Sequence, residues 1–224
     1  MSEVLAEREG EVLVLTLNRP DKANAMNEAM QKALIENLLN SNSKAVVLAA
    51  SGPKIFSAGA DLKEFSELEC GIAARRRRAL LKCTLEAVLD FPRPLVAAVQ
   101  GKALGGGCML ALLADELVMA EGAELGLPEI KHAIPTLVGY AIVAARAGMP
   151  IARRMVQNGE PVGAGEALDF HLIEEISGNA RERALERATT LACLSGPTYQ
   201  ANKKFINAPL MAALQAAFTE ADRL

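Results

Sequence analysis

The sequence has no tryptophan, two tyrosines and two histidines, and each shortage closes a route. Few aromatic rings leave little for exposed bases to stack on, which counts against a single-stranded nucleic-acid platform. The four cysteines (Cys70, Cys83, Cys108, Cys193) lie far apart with no Cys-x-x-Cys pair. They form neither a zinc-ligand pattern nor a disulfide framework, so no metal is expected and a reducing, cytoplasmic setting fits. Positive charge is not in surplus: 24 Lys and Arg against 27 Asp and Glu give a net charge of -3, which offers a phosphate backbone no general attraction. No apolar run is long enough to cross a membrane, because Gln, Lys, Asp and Glu interrupt each of them. Residues 1–10 carry charges of both signs and lack the apolar centre of a secretory signal. Small molecules and protein partners remain.

What is present is a globular composition: 224 residues, 51% hydrophobic and 23% charged, enough for one sizeable core. Residues 11–17 (EVLVLTL) are rich in Val and Leu and end at Asn18-Arg19-Pro20, which predicts a strand running into a turn. Asn27 is the expected N-cap of a helix reaching about Asn40, with Met30, Leu34, Ile35, Leu38 and Leu39 on one stripe. The apolar runs 45–50, 95–99 and 116–120 read as buried strands. A helix rich in Leu, Ala and Arg is expected from about Ser66 to Leu89, stopped by Pro92 and Pro94. Another opens at Gly105-Gly106-Gly107 and runs to about Leu113. From about Leu137 the pattern is helical, broken at Gly148-Met149-Pro150 and Gly159-Glu160-Pro161. Strands separated by helices pair in parallel through crossovers, so the expected class is α/β.

Three segments carry residue types suited to chemistry. Phe56-Ser57-Ala58-Gly59-Ala60-Asp61-Leu62 sets small residues directly after a strand, Gly105-Gly106-Gly107 opens a helix, and Leu127-Pro128-Glu129 holds a carboxylate in a largely apolar stretch. Small residues let a ligand approach the main chain, and helix N-termini leave backbone N–H groups unpaired. Two such groups converging on one point make an oxyanion hole. Each segment alone has a plainer reading: glycines for tight packing of a helix on a strand, and Glu129 as a first-turn carboxylate favouring a helix N-terminus. A P-loop is ruled out because Cys108-Met109 follows Gly107 where Lys-Ser/Thr is needed. The Gly-x-Gly-x-x-Gly dinucleotide spacing is absent as well.

Order and spacing add to these. Asn18-Arg19-Pro20-Asp21-Lys22-Ala23-Asn24-Ala25-Met26, then FSAGADL, then Gln100-Gly101-Lys102-Ala103-Leu104-Gly105-Gly106-Gly107, then LPEI, resemble the enoyl-CoA hydratase/isomerase (crotonase) family over residues 4–208. The resemblance implies a crotonase-like spiral of ββα units over residues 1–190 and a helical C-terminal trimerisation region over 191–224, shortened relative to the family. It implies an acyl-CoA thioester as substrate, with CoA as part of that substrate and no separate cofactor. The expected assembly is a homotrimer or a dimer of trimers, with no nucleic-acid or membrane partner. By position, the oxyanion donors fall on the N–H groups of Ala60 and Gly106. Lys22, Ala23 and Ala25 match positions lining the CoA nucleotide, and Ala58, Asp61, Leu62 and Lys63 match the strip beside pantetheine and thioester. Gly105 and Met109 belong with the substrate-contacting positions.

The family's hydratases use two glutamates. One matches Glu129; the other's position, two residues after the glycine triplet, holds Met109, and a thioether exchanges no protons. Losing one acid/base group costs about 10²–10⁴-fold. The expected activity is therefore double-bond migration in an enoyl-CoA with Glu129 as the single base. The alternatives are acyl-CoA decarboxylation, carbon–carbon bond formation, weak hydration, or a non-catalytic CoA-ester-binding subunit. Some decarboxylating relatives carry His at the Ala60 position and Tyr at the Thr136 position, and this chain has neither. The short ending leaves open a missing lid or room for a large acyl group. His132 reads as a helix-surface or satisfied core residue, with a pocket group as the alternative. Arg75-Arg76-Arg77-Arg78, pointing around most of a helix circumference, reads as a solvated surface, with a grip on phosphate as the alternative.

Overall fold

The computed structural model describes residues 2–64 and 67–224; the helix start expected at Ser66 lies outside them. The chain opens with a hairpin of β1 (Val4–Glu9) and β2 (Val12–Leu17), followed by α1 (Glu28–Leu39). It then runs strand, strand, helix three times. The first turn is β3 (Ala45–Ala50), β4 (Ile55–Ser57) and α2 (Cys70–Leu89); the second is β5 (Leu95–Val99), β6 (Lys102–Leu104) and α3 (Gly106–Leu112). The third is β7 (Glu116–Met119), β8 (Glu124–Gly126) and, beyond a 3-10 turn at Pro128–His132, α4 (Leu137–Ala147). Then come α5 (Met149–Asn158), β9 (Val162–Gly163), α6 (Ala164–Asp169), β10 (Glu175–Ile176), α7 (Ala180–Ala192) and α8 (Gly196–Ala221).

The first strand of each turn joins a six-stranded sheet, ordered β1-β2-β3-β5-β7-β10, and the second joins a four-stranded sheet, β4-β6-β8-β9. Pairing is parallel except between β1 and β2 and between β8 and β9. This is the α/β spiral of ββα units that the family resemblance implied.

The long strands are apolar throughout because both faces of the large sheet are covered. Val46, Leu48, Leu95, Ala97 and Val99 face the main core. Ala45, Val47, Ala49, Val96 and Ala98 face α7, which meets them with Ala180, Ala184 and Ala188, three small residues one turn apart. The expected boundary at residue 190 falls within α7.

Three readings of the sequence need correction. The stripe of α1 is Met30, Leu34 and Leu38, while Leu39 is 75% exposed. The buried place on that face goes to Gln31, whose side-chain oxygen accepts from the Thr84 hydroxyl at 3.1 Å. The helical final third also contains β9 and β10, and β1 was not read as a strand because only Val4 in it is buried. The breaks at Gly148 and Gly159 are real, both glycines having positive φ.

The last helix is fastened deep in the molecule. Lys203 Nζ lies 2.7 Å from Asp115 Oδ2 and 3.2 Å from the Arg93 carbonyl, and Asn207 donates to the Leu89 carbonyl at 3.0 Å. Beyond Leu214, α8 returns over the end of α4 and α2 to the place where the three chemical segments meet.

Candidate active site

The loop after β4 is held by buried polar groups. The Ser57 hydroxyl donates to the Asn24 carbonyl at 2.9 Å and accepts from Gly59 N–H at 3.1 Å. Ala58 N–H donates to the Ala23 carbonyl at 3.0 Å, and the Asn24 side chain donates to the Ser51 and Ile55 carbonyls. Met26 then bridges the loop: its N–H donates to the Gly59 carbonyl at 2.7 Å and its carbonyl accepts from Asp61 N–H at 3.1 Å. In a parallel bridge of this kind the residue between the two partners, Ala60, turns its own N–H the opposite way.

That direction leads to α3. A methyl group on Gly106 would sit 3.8 Å from the Ala60 nitrogen, and one on Gly59 would sit 3.0 Å from the Gly106 nitrogen. Gly106 is the first residue of its helix, so its N–H has no intrahelical partner. Among the described residues neither N–H has a protein acceptor. The two donors expected from sequence stand side by side and free.

The glycine triplet divides its duties. Gly105 has φ +54, a left-handed conformation that only glycine adopts cheaply, and it sets the first turn of α3. Gly106 supplies the N–H. Gly107 is a packing residue, since a methyl group there would meet Ser57 Cβ at 2.6 Å and its carbonyl oxygen at 2.7 Å.

Glu129 enters from the 3-10 turn after β8. Its Oε1 would be 3.2 Å from a methyl group on Gly105, which sets the carboxylate against the start of α3. Its Oε2 is buried with no partner among the described residues. Burial pushes its pKa above the ordinary glutamate value, against weaker lowering by its own N–H and by Thr136. A carboxylate serving only a helix N-terminus would be paired; this one has a buried oxygen with no partner among the described residues.

The other acid in the loop does different work. Burial would raise the pKa of Asp61, but the bond from Arg19 at 3.0 Å and backbone N–H groups outweigh it and hold the carboxyl below its usual value. Asp61 fastens Arg19 to the loop and leaves Glu129 as the free carboxylate. Beside Glu129, Cys108 is fully buried and its thiol pKa is pushed far up by burial and by the carboxylate's charge, so it stays protonated.

These groups border a cavity of about 280 Å³. Of the residues singled out from sequence, Ala58, Ala60, Leu62, Gly105, Gly106, Met109 and Glu129 line it. Lys22, Ala23 and Ala25 sit on the adjoining turn, tied through Ala23 to Ala58, while Lys63 is exposed beyond Asp61. His132, read as ordinary, is exposed yet borders the cavity.

Wall residues from α2, from the turn into α4 and from α8 escaped the sequence reading. From α2 come Ala74, Arg77, Arg78 and Leu81, spaced i, i+3, i+4, i+7. That spacing was the available signal, hidden by reading the four arginines as a block: Arg75 and Arg76 are exposed, whereas Arg77 and Arg78 turn inward. From α8 come Phe218 and Ala221, so the final helix contributes to the cavity wall. Among the described residues no cluster of His, Cys, Asp and Glu could hold a metal ion.

Comparison with known proteins agrees with this arrangement. The model of the enoyl-CoA hydratase/isomerase family matches residues 7–224. The 2,3-dehydroadipyl-CoA hydratase of Escherichia coli K12 is 36% identical, over 100% of this chain and 89% of that protein. The short-chain-enoyl-CoA hydratase of Clostridium acetobutylicum is 33% identical, over 79% of this chain and 69% of its own. Among solved structures, enoyl-CoA hydratase from Bacillus anthracis superposes with a TM-score of 0.86 at 28% identity, covering 97% of this chain and 90% of its own. Pseudomonas aeruginosa DspI gives 0.88 at 28% identity, covering 100% and 93%. With the fold, the paired free N–H groups and the buried glutamate in place, the chain belongs to the enoyl-CoA hydratase/isomerase family.

Proposed function

We propose that the protein moves a double bond in an enoyl-CoA thioester, using Glu129 as its only base. The observation that carries this reading is a single carboxylate with an unpartnered, buried oxygen beside two free backbone N–H groups, with the Met109 thioether in the wall where a second acid would be needed. The thioester carbonyl oxygen accepts from Ala60 and Gly106. Glu129 removes a proton from C2 of a 3-enoyl-CoA, and the C–H electron pair moves toward the carbonyl oxygen to give a dienolate. The protonated Glu129 then returns the proton at C4, leaving the 2-enoyl product and the original carboxylate. One fixed donor of this kind is worth about 2.7–4 kcal/mol of barrier lowering. CoA enters with the substrate, its nucleotide along Lys22, Ala23 and Ala25 and its pantetheine beside the strip 58–63.

A second reading has support of its own: the curated relatives include proteins named as hydratases. Hydration needs a group to activate water besides the one that protonates C2, and His132 is the remaining proton-exchanging side chain on the cavity wall among the described residues. One experiment separates the two. Purified protein is given a 3-enoyl-CoA or a 2-enoyl-CoA, and migration and water addition are followed by absorbance and mass spectrometry, beside Glu129→Gln. The expected result is migration without hydration, lowered about 10²–10⁴-fold in the variant while CoA-ester binding survives. Hydration by the wild type favours the second reading; turnover unchanged by Glu129→Gln rejects both.

Assembly through the C-terminal region as a homotrimer or a dimer of trimers, in the cytoplasm, belongs to the same proposal. Leu194, Phe205 and Ile206 are 56%, 83% and 70% exposed, an apolar surface suited to a second copy. A monomer in light scattering would reject it.

A further inference from the structure

The cavity wall is mostly carbon, with Leu62, Ala74, Leu81, Met109, Val138 and Phe218 among its members. Its ionisable side chains are Glu129, His132, Arg77 and Arg78. A guanidinium keeps its charge in any folded protein, and facing an apolar cavity it is costly unless an anion engages it. The two arginines differ in this respect. Arg78 donates from Nε to Asp222 Oδ1 at 2.8 Å, an anion of the chain's own on the end of α8. Arg77 donates from Nη1 to the Glu64 carbonyl at 2.9 Å, and among the described residues it has no carboxylate partner. A guanidinium carries five N–H donors in a fork that fits a carboxylate, so most of those on Arg77 are uncommitted.

The position of Arg77 is informative. Along α2, Leu81 is the residue that touches the oxyanion site, its Cδ1 lying 3.3 Å from a methyl group placed on Gly106. Arg77 is one turn back on the same stripe, about 6 Å along the axis at 1.5 Å per residue.

We infer that Arg77 selects acyl groups ending in an anion, namely CoA monoesters of dicarboxylic acids whose free carboxylate lies a few methylenes beyond the thioester. This rests on the cavity being the CoA-ester site proposed above. The thioester sits at Ala60 and Gly106, the methylenes cover Leu81 and Met109, and the far carboxylate meets the Arg77 fork. Arg78, neutralised by Asp222, ties the closing helix to the same wall. A phosphate of the CoA nucleotide is the other source of an anion for this cation, and the test tells the two apart.

Calorimetric titration of hexanedioyl-CoA with one free carboxyl, of hexanoyl-CoA and of free CoA is made into the wild type, Arg77→Met and Arg75→Met. Both esters are saturated and offer no double bond to move, and Arg75 is an exposed arginine two residues away whose loss changes net charge equally. The expected result is a wild-type preference of about 10- to 100-fold for hexanedioyl-CoA over hexanoyl-CoA. Arg77→Met abolishes that preference without weakening hexanoyl-CoA, and Arg75→Met retains it. If Arg77→Met fails to fold, Arg77→Lys, which keeps the charge and loses the fork, serves in its place and narrows the preference. Equal wild-type affinity for the two esters overturns the inference, as does an equal loss for all three ligands in Arg77→Met, the mark of phosphate binding. In both of those cases hexanoyl-CoA still binds and the CoA-ester reading stands; no binding of either ester overturns both.

Discussion

Glu129 shows how burying one side chain without a partner costs stability. Its pKa is raised, chiefly by burial, so the folded state holds the proton more tightly than the unfolded chain does. The linkage has a definite sign: the contribution to stability is fully present below the unfolded glutamate pKa and is lost as pH rises through the folded one. At neutral pH the idle carboxylate is therefore a cost. Glu129→Gln should be at least as stable as the wild type at pH 7 by thermal melting, with the difference closing in acid. Greater stability of the wild type at neutral pH would contradict the buried, unpaired carboxylate. In the proposed reaction the same shift governs the rate, because a carboxylate base acts only when deprotonated: kcat/KM should fall on the acid side with a midpoint above the ordinary glutamate value. An acid limb at or below that value would mean that Glu129 is solvated when it works.

At the scale of elements, the pairing of the free Ala60 and Gly106 N–H groups depends on how closely α3 approaches β4. Gly107 sets that distance, because any side chain there meets the Ser57 backbone and Cβ at under 3 Å. Gly107→Ala must push α3 away and carry the Gly106 N–H with it. The expected cost is about 1–3 kcal/mol of stability from overpacking, read by urea unfolding, and a fall in kcat of up to about 10²–10³-fold. Wild-type kcat would show that the helix tolerates the shift. Legibility in the sequence also follows from the physics of elements. β3, β5 and β7 stand out because a strand buried on both faces is a continuous apolar run. β4, β6 and β8 have three residues each, too few to display any period, and their pairing is set by neighbouring turns of the spiral. The arginines of α2 could be divided between solvent and cavity only once Leu81 was seen to face Gly106, because the sequence gives a helix its periodicity and no absolute rotation.

The whole molecule is closed by its final helix, and the fastening is ionic. Lys203 is 6% exposed, with Asp115, itself held by Leu95 N–H at 2.8 Å, as its partner. Removing one member of a buried pair strands the other, so Lys203→Met should cost about 3–5 kcal/mol in urea unfolding. The double variant with Asp115→Asn should lose less than the two single losses added together. KM should rise as well, since loosening α8 withdraws Phe218 from the cavity. Full additivity would mean that the pair is not coupled. The sequence by itself marked the candidate groups: Ala60, Gly106 and Glu129 are legible because small residues after a strand, glycines opening a helix and a carboxylate in an apolar stretch are local patterns, and backbone N–H groups follow from local geometry. The tertiary structure alone decided what surrounds them. The return of Phe218 and Ala221 to the site, the inward turn of Arg77 and the pairing of Asp61 with Arg19 join residues far apart in the chain, and burial in a shared core, which no local pattern encodes, brings them together.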